Sequence, residues 1–272
     1  MSRRLHVASE GADTARPPVS PPIWRWQRPS SRSAMASSSN VPPRALEPAG
    51  VALVDKPGGP SSFAVVAQIR RVTGARTGHA GTLDPFATGL LLLLSGRATK
   101  LATCLVGLDK RYLTEIDLTG PTSTGDPEGE VVERHAPPGE DELSERLERL
   151  RGEVELPIPA ASAVKIGGER AYKLARRGVE VEMPVRRSTV HALDVIAYTG
   201  ERVTLDVHVS SGTYVRSLAL ALGGHCVTLR RTQVGPFSVD DAVAPAAFTA
   251  ERLLPEAEVL ARVEAARAEP GA

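Results

Sequence analysis

From residue 51 onward the apolar positions follow two periods, and each period predicts an element. Val51-Ala52-Leu53-Val54 leads into Asp55-Lys56-Pro57-Gly58-Gly59-Pro60, a short strand stopped by a turn. Ser61 and Ser62 offer an N-cap. Phe63, Val66, Ala67 and Ile69 then recur at helical spacing as far as Val72, and Gly74 closes the helix. The five leucines at 90–94, ended by Ser95-Gly96, predict a strand buried on both faces. Residues 98–105 read as a helix. Residues 112–118 alternate apolar and polar, which predicts a half-buried strand. Residues 130–133 read as a partner strand across the Gly- and Thr-rich segment 120–129. Leu143, Leu147 and Leu150 mark an acidic amphipathic helix over 141–151.

The second half continues in the same manner. After Pro157 and Pro159, residues 165–178 read as strand end, turn, helix and a cap at Gly178. Strands are expected at 179–182, 186–198 and 202–209, a helix near 213–222, and further strands at 225–231 and 234–239. The Ala- and Glu-rich tail 247–267 reads as helical. Strands that mostly neighbour one another, with helices between, predict an α+β fold: a mixed, largely antiparallel central sheet flanked by helices.

Residues 1–50 break the pattern. They are rich in Pro, Ser and Ala, show no period, and carry seven arginines against three acids. That predicts a disordered extension, with Met35 as an alternative start. Arg3, Arg4 and His6 are not followed by an apolar stretch, so no signal peptide is expected. No apolar run approaches the ~20 residues of a membrane span. The two cysteines, Cys104 and Cys226, lie far apart, which argues against a zinc site or a disulfide framework and suits a reducing cytoplasm.

The net charge of +1 announces no partner, but its distribution is uneven. Residues 126–155 carry eleven acidic and four basic side chains, and the rest of 51–250 carries 13 acidic and 19 basic. A polyanion bound on the basic face and an ordinary mixed surface both fit that arrangement.

The chemistry gathers around residues 78–90, with three glycines, one histidine, two threonines and the single carboxylate Asp84. Pro85 biases Asp84 away from the helical region. A carboxylate on such a rigid loop suits a nucleophile or general base, and the same residues suit an Asp-Pro turn. Four other segments could converge on it: Lys56, Asp109-Lys110-Arg111-Tyr112, residues 211–216 with Tyr214 and Arg216, and Leu229-Arg230-Arg231. An arginine would hold an aspartate ionised, a tyrosine would stack on a base or move a proton, and paired cations such as Lys110-Arg111 would meet phosphates. Each is equally readable as an ion pair, a core tyrosine or solvated edge charges. No Gly-Lys-Ser/Thr phosphate loop is present, and the histidines lack metal-ligand spacing. Asp84 with Asp126 as a glycosidase pair finds no support.

Seven short motifs nevertheless stand in a telling order over residues 51–245. They are Val54-Asp55-Lys56-Pro57-Gly58, residues 78–85, Ala87-Thr88-Gly89, Ala98-Thr99-Lys100, Asp109-Lys110-Arg111-Tyr112, Gly212-Thr213-Tyr214-Val215-Arg216 and Leu229-Arg230-Arg231. In this order the chain resembles the bacterial tRNA pseudouridine-55 synthases of the TruB family. The resemblance implies the pseudouridine synthase fold and a tRNA T-arm substrate whose T-loop uridine is flipped out and isomerised, with no cofactor, no metal and no membrane. It implies Asp84 as nucleophile, Arg216 as its partner, and Tyr112 as the residue stacked on the base that removes the C5 proton. Tyr214 and Leu229 would wall the pocket, His79 would hold flipped-out bases, and Lys56 and Lys100 would be basic positions near the site. A cytoplasmic monomer is expected. The resemblance further implies a catalytic domain at 51–245 and a short helical tail at 246–272 where many members carry a PUA domain. The segment between Arg216 and Leu229 is shorter than the family pattern, so a trimmed helix is expected there. The alternative from another class is a non-catalytic tRNA-binding protein or RNA chaperone.

Overall fold

The first strand, β1 (Gly50–Lys56), ends where Pro57 removes the next backbone donor. These coordinates form a computed structural model that describes residues 48–268 apart from 163, 178, 180 and 181. The expected extension 1–50, with Met35, lies outside the described residues except for 48–50, and Gly50 already belongs to β1.

Helix α1 (Ser62–Thr73) has the expected caps: the Ala64 N–H donates to Ser61 Oγ at 3.2 Å, and the Gly74 N–H donates to the Arg70 carbonyl at 2.9 Å. Its inward face differs from the reading above. Val65, Ile69 and Thr73, spaced by four, turn into the core, which leaves Phe63 on the other side and 68% exposed.

Strands β2 (Thr77–His79) and β3 (Thr88–Ser95) flank the Asp84 loop. All five leucines of β3 are fully buried. Leu91 and Leu93 pack with Val65, Ile69 and Phe248, while Leu90, Leu92 and Leu94 pack with Leu105, Phe237, Val259 and Val263. Each such side chain contributes about 1.5–3 kcal/mol of burial, so β3 anchors both ends of the loop before it.

The expected helix at 98–105 is instead a 3-10 turn (Gly96–Leu101) running into α2 (Ala102–Val106). Thr99 Oγ donates to the Gly96 carbonyl at 2.9 Å, a local bond that competes with the α ladder. Strand β4 (Lys110–Asp117) alternates in burial as expected. The expected strand at 130–133 is replaced by one isolated bridge between Thr122 and Val131. Asp126 accounts for this: its carboxylate accepts from Thr124 Oγ and the Glu128 N–H, while Thr122 Oγ donates to its carbonyl at 2.7 Å, so the segment closes into turns.

Helix α3 (Glu140–Glu148) buries Leu143 and Leu147 and leads to β5 (Gly152–Pro157). A small hairpin, β6 (Lys165–Ile166) and β7 (Glu169–Arg170), precedes α4 (Ala171–Arg176). The expected cap at Gly178 lies outside the described residues, as do 180 and 181 of the strand expected at 179–182, while Val179 and Glu182 belong to no strand. Strands β8 (Val185–Tyr198) and β9 (Arg202–Val209) are long, and α5 (Val215–Ala221) is short. Then β10 (His225–Val234) runs as one strand through the break expected at 231, and β11 (Phe237–Ser238) is a two-residue remnant. Helix α6 (Glu256–Ala268) begins later than the tail pattern predicts, because Pro245 and Pro255 confine the preceding chain to 3-10 turns.

Among the described residues one nine-stranded sheet follows the order β1-β3-β10-β4-β9-β8-β5, with β2 on β3 and β11 on β10. Only the β10–β3 pair is parallel, so the sheet is mixed and largely antiparallel, as expected. That parallel contact needs Gly89: its φ is +100°, and a Cβ there would lie 2.2 Å from the Arg231 carbonyl oxygen. The contact brings the Asp84 loop onto the sheet centre, beside β10 and β4. Among the described residues no helix is long and apolar enough to cross a membrane.

Candidate active site

Buried side chains hold the Asp84 loop on several sides. Ser62 Oγ, at the start of α1, donates to the Leu83 carbonyl and accepts from the Leu83 N–H, each at 2.8 Å. The Lys56 side chain is wholly buried, and its Nζ donates to the carbonyls of Pro57, Pro85 and Ala87 at 2.9, 3.1 and 2.7 Å. Burial lowers the Lys56 ammonium to about 8, and Asp84 opposes that fall. Arg231, also buried, reaches the same loop from β10: Nε donates to the Leu90 carbonyl at 2.7 Å and Nη2 to the Gly81 carbonyl at 3.1 Å. Two internal cations thus fix the loop backbone on which Asp84 sits.

Arg216 lies at the first turn of α5 and is almost completely buried. Its Nε is 2.9 Å from Asp84 Oδ2, and its Nη1 is 3.4 Å from Asp126 Oδ2. Nη1 also donates to the Thr124 carbonyl at 2.8 Å and Nη2 to the Ala161 carbonyl at 3.1 Å. The guanidinium is therefore clamped between two carboxylates and two carbonyls, and its planar fork admits little rotation. Burial raises the Asp84 carboxyl above its ordinary value; Arg216 opposes the rise and the negative Asp126 adds to it.

A cavity of about 250 Å³ opens over this pair. It is smaller than the roughly 300–1,000 Å³ of drug-sized sites, which suits one base rather than a whole folded loop. Tyr112 from β4, Leu229 from β10, and Tyr214 at the N-cap of α5 line it together with Asp84 and Arg216. A carboxylate held at a guanidinium can attack an electrophilic carbon, and a phenol lining the same cavity can present its hydroxyl to a proton on a stacked ring.

Comparison with known proteins decides what this arrangement belongs to. The model of the TruB family pseudouridylate synthases (N-terminal domain) matches residues 70–215. The tRNA pseudouridine synthase B of Arthrobacter sp. (strain FB24) is 45% identical over 234 residues, covering 80% of this chain and 75% of that protein. The chain belongs to the TruB family of pseudouridylate synthases. The tRNA pseudouridine synthase B of Bordetella avium (strain 197N) is 44% identical over 206 residues, covering 71% of this chain and 84% of that protein. Among solved structures, a chain of a Cbf5-Nop10-Gar1 complex is similar with a TM-score of 0.55 and 31% identity, over 71% of this chain and 51% of that one. A chain of an H/ACA RNP bound to a substrate RNA containing 2'-deoxyuridine gives 0.53 and 27%, over 73% of this chain and again 51% of its own. The chain thus spans about half the length of the solved chains it matches. The enzyme is an isomerase that converts uridine to pseudouridine, built on the pseudouridine synthase fold.

The TruB motifs do not all meet at the cavity. Asp84, Tyr112, Tyr214, Arg216 and Leu229 do, and Leu229 reaches it even though α5 is only seven residues long. Three of the basic or imidazole positions do not. Lys56 is sealed beneath the loop. Lys100 is exposed, and its Nζ lies 2.9 Å from Glu256 of α6. His79 sits edge-on to Phe63, with ring centroids 5.4 Å apart, outside the cavity lining. Burial and Arg231 lower the His79 imidazole below its ordinary value, and among the described residues its buried Nδ1 has no hydrogen-bond partner. Lys110 and Arg111 also depart from the phosphate-contact reading. Lys110 is buried, with Nζ donating to the carbonyls of Val106 and Leu108, and Arg111 Nε pairs with Asp206 at 2.6 Å.

Asp126 and Arg231 are the members of the site whose roles the sequence reading missed. Asp126 enters the sequence reading only as half of an unsupported glycosidase pair, and Arg231 only as part of a basic edge readable as a phosphate contact or as solvated charge. Nothing local announces that either is buried, because both are buried by chain segments far away in sequence.

Proposed function

We propose that this enzyme isomerises a uridine in the T-loop of tRNA, at position 55, with Asp84 as nucleophile. The observation that carries the reading is the 2.9 Å contact between Arg216 Nε and Asp84 Oδ2 at the floor of a base-sized cavity walled by Tyr112. The names of the relatives support tRNA as the substrate. A uridine inside a folded loop must swing out before a carboxylate can reach it, and RNA loops are read by stacking and phosphate contact.

The steps follow from the groups present. The flipped uridine enters between Tyr112 and Leu229. Asp84 forms a covalent bond to the substrate, the C1′–N1 bond breaks, the base turns, a C1′–C5 bond forms, and the bond to Asp84 breaks to return the free carboxylate. Tyr112 takes the proton from C5 and N1 gains one, so atoms balance without water, metal or redox partner. Arg216 holds the carboxylate ionised against the burial that would protonate it.

The reading includes a catalytic domain at 51–245 with a helical tail after it, a cytoplasmic setting, and action as a monomer. Its test is tritium release from a T-loop hairpin labelled at C5 of the target uridine. The wild-type protein releases tritium and Asp84→Asn does not. Normal turnover by Asp84→Asn overturns the nucleophile, and released free uracil overturns the isomerisation.

A further inference from the structure

Four cations line the catalytic cavity: Lys110, Arg186, Arg216 and Arg231. Three have their donors committed inside the protein. Lys110 holds the Val106 and Leu108 carbonyls, Arg216 holds Asp84, Asp126, Thr124 and Ala161, and Arg231 holds Leu90 and Gly81. Arg186 differs. Among the described residues its side chain has no hydrogen bond or ion pair, and it is exposed at the cavity's edge.

Its position is nonetheless well defined. Its backbone is fixed in β8, where it pairs with Leu156 of β5. The guanidinium occupies the space that a side chain at 212 would take: a Cβ there would come within 2.4 Å of Arg186 Nη2 and 2.5 Å of Cζ. Gly212 has φ +82° and sits in a loop tied to β8, since the Ser210 N–H donates to the Thr189 carbonyl and the Thr189 N–H to Ser210 Oγ, both at 2.8 Å. The same loop leads directly into α5 and Arg216. Glycine at 212 therefore leaves room for a cation at the rim, four residues before the arginine that grips the catalytic carboxylate.

We propose that Arg186 is a phosphate-binding residue for the RNA backbone at the extruded nucleotide. A base that fills the cavity leaves its own phosphates at the rim, and an unpaired guanidinium there offers two parallel donors to phosphate oxygens. Arg216 grips the catalytic group and Arg186 grips the strand that delivers the base. Arg186 is thus a binding residue, and it acts before the chemistry. The proposal rests on the reading of the cavity as the site of a flipped uridine.

The test compares wild type, Arg186→Ala and Arg186→Lys on a T-loop hairpin RNA. Dissociation constants are measured across a salt series, and single-turnover rates are measured at saturating RNA. Arg186→Ala is expected to weaken binding about 5- to 20-fold and to reduce the slope of log K against log salt by about 0.7–0.9, the change for one lost phosphate contact. Its saturated rate stays within about twofold of wild type, and Arg186→Lys recovers most of the slope but only part of the affinity, because an ammonium lacks the fork. An unchanged slope with unchanged affinity overturns the proposal, as does a fall in the saturated rate at unchanged affinity. Should Arg186→Ala lose its fold by circular dichroism, Arg186→Gln supplies the same comparison. If wild type binds the hairpin but forms no pseudouridine, the functional reading fails while the binding comparison still decides Arg186.

Discussion

Arg216 and Asp84 meet at 2.9 Å, yet water reaches them very unequally: the arginine side chain is 2% exposed and the aspartate side chain 37%. The carboxylate faces the cavity while the guanidinium that orients it is walled in. That asymmetry suits the role proposed for Asp84, because a nucleophile's reactive oxygen must be open and its partner must not turn with the substrate.

Replacing Asp84 by Asn keeps the shape and removes the charge. Pseudouridine formation is expected to fall by at least about 10³-fold, the scale of losing a covalent nucleophile. Hairpin affinity is expected to stay within about threefold, because an anionic carboxylate offers a phosphate no attraction to lose. Tritium release and a filter-binding assay on the same preparation check both halves.

Arg216→Ala leaves Asp84 and the buried Asp126 without their shared cation. Breaking a buried pair from one side costs about 3 kcal/mol or more. That corresponds to a fall in Tm of roughly 6–12 °C for a domain of this size, together with loss of turnover. Thermal unfolding followed by circular dichroism reads the first effect and the hairpin assay the second. An unchanged Tm contradicts the burial described here.

Asp126→Asn separates positioning from pH. The negative charge of Asp126 raises the Asp84 carboxyl, so its removal lowers it. If Asp84 is the nucleophile, as proposed, it acts when ionised, and the rate falls as pH drops through its pKa. The acid limb of the pH–rate profile therefore moves to lower pH in Asp126→Asn, while the plateau rate falls about tenfold, or about 1.4 kcal/mol, because Arg216 loses one side of its clamp. A limb that moves upward refutes the electrostatic account.

Lys110→Ala distinguishes a buried strut from a phosphate contact. The Lys110 ammonium, lowered to about 8 by burial, supports the carbonyls of Val106 and Leu108. Its loss is expected to cost about 1–3 kcal/mol of stability and to leave the salt slope of RNA binding unchanged. Denaturant titration and a salt series give opposite answers if Lys110 instead touches RNA.

Much of the scaffold was legible in advance because its signals are local. The caps Ser61 and Gly74 bracket α1 on their own chemistry, and five consecutive leucines state that both faces of β3 are covered. The order of short motifs identified the family. Where the local reading went astray, a long-range or competing contact decided. Thr99 bonded back to Gly96 and broke a helix, Asp126 drew segment 120–131 into turns, and α1 buried Val65 and Ile69 in preference to Phe63.

By itself the sequence determined the elements, the class of fold, and the glycine- and proline-flanked loop that carries Asp84, because these depend on periodicity and backbone chemistry within a few residues. Only the tertiary structure decided which charges are internal. Lys56, Lys110, Arg216 and Arg231 look like ordinary surface cations in the chain, yet all four are buried: carbonyls 31 to 150 residues away replace water around Lys56, Arg216 and Arg231, while Lys110 holds carbonyls two and four residues before it. Among the described residues the Arg186 side chain has no such partners, and that difference is a property of the fold, since desolvation depends on every neighbour in space.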